Sequence, residues 1–203
     1  MFKCNSTDRF LKKHSSLSPE ELCIEAEKQA KAYIDSENLG KAEDLLIYAT
    51  QHFFSNVEPK YKALIYYRLG ELFELKEDFI TSYTYYDKYR MNNTENEGVN
   101  GLMLRITLLR DNFKYSEDVE KYLSASYGEY DLGLRRERLY ELIAKRILAE
   151  KNENSEEVEK LTKSIKALVL NESIVVTDIF FKKDNIPDRL HLPAVTVAYL
   201  DSI

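Results

Sequence analysis

Tryptophan is absent from this sequence, and cysteine occurs only as Cys4 and Cys23. Two cysteines are too few for a disulfide scaffold, and they lack the paired spacing of a metal-ligand set, so a reducing compartment is expected. Only four prolines and six glycines interrupt the chain. Such long unbroken stretches exclude a many-turned β architecture and suit helices. No apolar run approaches the roughly 20 residues of a transmembrane helix. The first 17 residues mix Phe2, Phe10 and Leu11 with Lys3, Arg9, Lys12 and Lys13 and offer no signal-peptide core. The sequons at Asn5, Asn92 and Asn171 then have no secretory context, and a cytoplasmic protein without a membrane partner is expected.

Catalytic patterns are scarce as well. His14, His52 and His191 lie far apart, and none sits in a metal-protease, zinc-finger or nucleophile-elbow motif. The glycine pairs Gly98/Gly101 and Gly128/Gly133 lack the strand, loop and helix context of a phosphate-binding loop. Adjacent carboxylates such as Glu20 and Glu21, Glu117 and Asp118, or Glu156 and Glu157 read as solvated helix faces or helix N-terminal charges. No enzyme, cofactor, metal or small-molecule substrate is expected. The net charge of −6 argues against a surface that grips nucleic acid everywhere, although a local basic patch is permitted.

What is abundant is helical pattern and aromatic bulk: 15 tyrosines and nine phenylalanines supply the packing that tryptophan does not. Ser18-Pro19-Glu20-Glu21 predicts a helix start, with Ser18 as N-cap, Pro19 at the first helical position and Glu21 closing a capping box. That helix is expected to run to Asp35, followed by helices over 39–53, 59–76 and 78–91. Periodicity alone predicts further helices over 99–110, 116–127, 132–150 and 155–170, the last with an N-cap at Ser155.

Within these helices, Tyr66-x-x-Leu69-Gly70-x-x-Phe73, followed by Ser82 and Tyr86, resembles the tetratricopeptide repeat signature. The chemistry is packing, in which a small residue lets two helices approach and large residues fill the space beside it. About 40 residues earlier the same register places Ala30 and Tyr33, then Ala42 and Leu46, although Gln29 stands where the signature has Leu. This offset exceeds the family's usual ~34 residues. The resemblance covers Glu20 to Arg90 by motif and Val99 to Leu170 by pattern. It implies an all-α fold of antiparallel helix pairs stacked as a right-handed solenoid. The expected layout is an N-terminal arm over 1–17, the repeat domain over 18–170, and an irregular or partly extended docking tail over 171–203. The β-branched runs Ile174-Val175-Val176-Thr177 and Val195-Thr196-Val197 motivate the tail. In this register Leu64, Tyr67 and Glu71 face the inner groove, where such arrays bind peptides. The chaperone-binding members carry a Lys and an Asn where this chain has Glu27 and Lys31, so that carboxylate clamp is not expected.

Two basic elements stand out. Arg135, Arg136, Arg138, Lys145 and Arg146 read either as a patch for RNA phosphate or an acidic peptide, or as a salt-bridged exposed face. Lys182, Lys183 and Arg189 lie near Phe180 and Phe181 and suit docking on RNA or protein, or folding back on the helices. The Asn-, Lys-, Tyr- and Ile-rich composition and short helical repeats are similar in general character to the microsporidian ribosome dormancy factors. That resemblance implies a hibernation role in which the protein contacts ribosomal proteins and rRNA and blocks a tRNA site. The alternative is a helical-repeat scaffold subunit of a stable complex unrelated to the ribosome.

Overall fold

The computed structural model describes residues 6–93, 99–125, 135–171 and 192–203. Every regular element among them is an α-helix: α1 (Ser6–Lys13), α2 (Pro19–Asp35), α3 (Leu39–His52), α4 (Pro59–Leu75), α5 (Phe79–Asn92), α6 (Val99–Arg110), α7 (Glu117–Ala125), α8 (Arg135–Lys151), α9 (Ser155–Asn171) and α10 (Ala194–Asp201). The all-α expectation holds. Two compact units divide the chain, Met1–Asn96 and Glu97–Ile203.

The helix starts follow from their caps. Ser18 Oγ accepts the Glu21 N–H at 3.3 Å while Glu21 accepts the Ser18 N–H at 2.8 Å, which satisfies two N-terminal donors reciprocally. Asp78 accepts the Thr81 N–H at 3.1 Å and starts α5. At α9 the capping side chain is Asn154, which accepts the Glu157 N–H at 3.2 Å, and not Ser155 as expected. The shift of one residue follows from reach, because Asn154 stands three positions before the donor it satisfies.

One turn closes several helix pairs. Glu37, Glu77 and Glu153 adopt left-handed backbone with φ of 62°, 56° and 54°. The next N–H in each case reaches back five residues, Asn38 to Tyr33, Asp78 to Phe73 and Asn154 to Ala149, at 2.8–2.9 Å. These bonds satisfy carbonyls that the helix end would leave orphaned. Phe113, with φ of 57°, carries the same reach to Leu108 at 2.8 Å.

In the first unit α1 packs on α3, α2 on α3 and α4, α3 on α4, and α4 on α5. The core joins Cys23, Ala26, Ala30 and Ile34 of α2 to Ala42, Leu45, Leu46 and Ala49 of α3 and to Ile65, Leu69 and Leu72 of α4, with Phe10 of α1 against it. Alanine at the crossing points lets the backbones approach, and the leucines fill the space beside them. The expected N-terminal arm is therefore, over Ser6–Lys13, a packed helix.

In the second unit α6 packs on α7 and α8, α7 on α8, and α8 on α9. Seven consecutive residues of α6, Met103 to Leu109, are buried, so this helix has no solvated face over two turns. The tail expectation needs correction at its end. Val195-Thr196-Val197 lies in α10, where Thr196 is fully buried and its hydroxyl is 3.0 Å from the Tyr140 hydroxyl of α8. Tertiary packing overrides the β preference of the branched side chains.

Candidate functional site

Gly70 of α4 meets Ser82 and Tyr86 of α5. Ser82 donates to the Gly70 carbonyl at 2.8 Å, and the Tyr86 hydroxyl donates to the buried Glu74 at 2.9 Å. A Cβ at Gly70 would stand 2.5 Å from the Tyr86 ring, so only glycine permits this approach. Leu69, Tyr86, Ala30, Ala42 and Leu46 are at most 1% exposed, while Tyr33, Tyr66 and Phe73 are half-buried against the same core. Two faces of α4 extend from this buried cluster.

The first face carries Leu64, Tyr67 and Glu71. Leu64 is 39% and Tyr67 37% exposed, whereas Ile65, Leu69 and Leu72 of the same helix are fully buried. Tyr67 packs edge-on against Tyr89 of α5 with ring centroids 5.3 Å apart. Beside it the nearly buried Arg68 donates from Nε to Glu27 of α2 at 2.9 Å, and its Nη groups bind Glu27 and Glu71. Burial works against the Arg68 charge, but the hydrogen bonds and fields of the two carboxylates outweigh it and hold the guanidinium above its ordinary value. Glu27 is thus committed to Arg68, and Lys31 pairs with Asp35 at 3.0 Å. Two exposed apolar side chains are held beside a fixed charge triad. Glu71 belongs to the triad, which leaves Leu64 and Tyr67 as the exposed apolar anchors.

The second face lies roughly opposite on α4 by helical spacing. Tyr66 and Phe73, half-buried, meet Phe54 of the α3–α4 connection and Tyr85 of α5. Burial pushes the Tyr66 and Tyr85 phenols above their ordinary value, with Glu43 adding to the rise at Tyr85. Sequence reasoning assigns Tyr66 and Phe73 to packing and does not single out their lysine neighbours, because Lys62 and Lys88 come together only when α4 and α5 pair.

The basic element of α8 divides. Arg138 is exposed. Lys145 is bound by Glu141 one turn earlier, in agreement with the salt-bridged alternative. Arg146 must be withdrawn as a surface contact: its side chain is 11% exposed, Nε donates to Thr162 of α9 at 2.9 Å, Nη1 donates to Tyr199 of α10 at 2.8 Å, and Nη2 pairs with Glu150 at 2.8 Å. Arg135 and Arg136 open α8, but their side chains lie outside the described residues, as do Lys182, Lys183 and Arg189.

The remaining groups serve packing. His14 lies 4.7 Å from the Phe10 ring and His52 4.1 Å from the Tyr48 ring, whereas His191 lies outside the described residues. Cys23 is fully buried, and its thiol is pushed up to about 11, mainly by burial and further by Glu20. A cleft of about 350 Å³ between α1 and α3 is lined by Thr7, Asp8, Glu43, Asp44, Ile47, Tyr48 and Gln51. Among the described residues no group of three or more His, Cys, Asp or Glu converges to hold a metal ion, and no helix is long and apolar enough to cross a membrane. No family model, curated protein or solved structure matches the chain.

Proposed function

We propose that this chain is a non-catalytic binding protein that docks on a large assembly, with the α2–α3 and α4–α5 pairs acting as two tetratricopeptide-like repeats of a right-handed solenoid. The observation that carries the reading is the α4 face on which exposed Leu64 and Tyr67 stand beside the Arg68–Glu27–Glu71 triad. Aromatic and aliphatic anchors on a rigid helix, next to charges that need no reorganisation, have the composition of a protein-binding hot spot. The recurring turn at Glu37, Glu77 and Glu153 supports the repeat reading, because one junction geometry is reused at successive helix pairs.

The more specific form is a ribosome-associated factor that blocks a tRNA site during dormancy, in contact with ribosomal proteins and rRNA. Exposed Arg138, together with Lys182, Lys183 and Arg189 in the sequence, supplies the positive charge this form requires. The second reading is a scaffold subunit of a stable complex unrelated to the ribosome. It is favoured by Ile80 and Met91 of α5, which are 71% and 68% exposed and suit a permanent apolar partner.

Sedimentation of native extract at low and high salt, with mass spectrometry of the bound material, separates the two. Comigration with ribosomes at low salt and release at high salt is the outcome expected of the ribosomal form. A salt-resistant complex without rRNA sinks it and supports the scaffold subunit. In either complex, replacing Leu64 and Tyr67 by Ala is expected to weaken partner retention by about tenfold or more, as loss of a hot spot does. Unchanged retention would remove this face from the reading.

A further inference from the structure

The second face of α4 combines a row of rings with a set of cations. Four rings form a continuous row: Phe54 meets Tyr66 edge-on at 5.3 Å, Tyr66 stacks on Tyr85 at 6.4 Å, and Tyr85 stacks on Phe73 at 5.6 Å with planes 13° apart. Lysines lie over these rings. Lys62 Nζ is 5.8 Å from the Phe54 centroid, Lys88 Nζ is 5.7 Å from Tyr66 and 5.0 Å from Tyr85, and Lys76 Nζ is 5.2 Å from Phe73. An ammonium over a ring marks the side on which the ring presents its face rather than its edge.

The charges are unequal in their commitments. Lys76 is held by Glu43 at 2.6 Å. Lys62 and Lys88 have no carboxylate within ion-pair distance among the described residues, unlike Lys28, Lys31 and Lys60 of the same unit. Two lysines without an ion-pair partner therefore stand over a row of half-buried rings, although the whole molecule is acidic.

We propose that this face binds single-stranded RNA, with bases stacking on the Phe54–Tyr66–Tyr85–Phe73 row and phosphates taken by Lys62 and Lys88. A base displaces an ammonium from a ring face, and the displaced lysine reaches the adjoining phosphate. The ring thereby exchanges a cation for a stacked base, and the ammonium exchanges a ring for a full negative charge. A single strand alternates flat bases with phosphates and so matches both the rings and the lysines along its whole length, which favours nucleic acid over an acidic protein segment. The proposal deepens the ribosome-directed form of the function and rests on it only for the source of the RNA.

The test is fluorescence anisotropy of a labelled oligouridylate with the full chain, across a salt series. Saturable binding is expected, and the Lys62→Gln/Lys88→Gln pair should weaken it by about tenfold or more while flattening the log–log salt slope by about 1.4, the value for two phosphate contacts on a single strand. Circular dichroism and a melting curve establish that the variant folds. Crosslinking of 4-thiouridine RNA to the unmodified protein reads the same face without any substitution and is expected to label Tyr66 or Tyr85. Absence of saturable binding overturns the proposal, as do equal affinity for a duplex of the same length, equal affinity for a polyglutamate peptide, or crosslinks that map only elsewhere. Comigration with ribosomes despite such a failure would leave the ribosomal reading standing and remove only this face.

Discussion

The α4–α5 pair of the first unit is joined by residues close together in sequence, since Gly70, Glu74, Ser82 and Tyr86 interlock within two adjacent helices. The second unit attaches its last helix by a different means. Tyr199 stacks on Phe113 at 4.6 Å and accepts a hydrogen bond from Arg146, and Thr196 meets Tyr140, across separations of 53 and 56 residues for the two hydrogen bonds. One region is a local packing lock and the other a long-range polar and aromatic anchor. The lock depends on the absence of an atom at Gly70, whereas the anchor depends on the presence of particular polar atoms.

This contrast can be broken from either side. The largest effect is expected at Tyr199→Ala, which removes both the stack and the Arg146 acceptor and should cost about 3 kcal/mol, the lower end for truncating an aromatic in a half-buried site. Tyr199→Phe retains the stack and should cost about 1 kcal/mol. Chemical denaturation gives both values, and hydrogen exchange should place the loosening in α10 and α8. Equal costs for the two variants would show that the hydroxyl, not the ring, holds α10.

Gly70→Ala is expected to come next. The new methyl collides with a Tyr86 ring that is 1% exposed and has nowhere to move, an overpacking cost of up to about 3 kcal/mol. Better helix propensity returns about 1 kcal/mol, leaving a net loss of about 2 kcal/mol in the urea midpoint analysis. A neutral or stabilising result would mean that α4 and α5 separate at little cost.

The smallest effect sharpens the polar side of the comparison. Asp111 receives hydrogen bonds from Arg110 at 2.7 Å and Ser116 at 2.6 Å at the α6–α7 corner. Burial alone raises its pKa, but those hydrogen bonds and the Arg110 charge outweigh burial and depress it below the ordinary aspartate value. The folded state therefore binds the proton more weakly than the unfolded chain. Its stabilisation is complete above the unfolded value of about 3.9 and is lost as pH falls through the lower folded value. Asp111→Asn should cost about 1 kcal/mol near neutral pH, and the gap to the unmodified protein should close in acid below about pH 4. A gap that persists in strong acid would assign the cost to packing instead of charge.

Legibility in the sequence follows the same division. Ser18-Pro19-Glu20-Glu21 announces α2 because a cap is written in consecutive residues, and Gly70, Ser82 and Tyr86 announce the α4–α5 contact because helical spacing converts separation into facing positions. The Glu37, Glu77 and Glu153 turns are not legible at the glutamates, which carry no preference for left-handed backbone; the signal lies in the Asn or Asp that follows each one. Leu64 and Tyr67 are legible as neighbours on one helix face, three residues apart, and both are exposed. Lys62 and Lys88 are not, because each alone is an ordinary surface lysine. Arg146 reads as surface charge because nothing near it in sequence reveals Thr162 or Tyr199.

The sequence by itself determined that this protein is helical, where most of its helices begin and end, and how α4 meets α5. Each of these depends on residues within a few turns of one another, where spacing and capping chemistry act directly. Only the tertiary structure decided that Val195-Thr196-Val197 coils into a helix, that Arg146 turns inward while Arg138 stays in solvent, and that four rings and their lysines share one face. Those outcomes depend on which distant surface each segment meets, and burial free energy there exceeds the weak local preference.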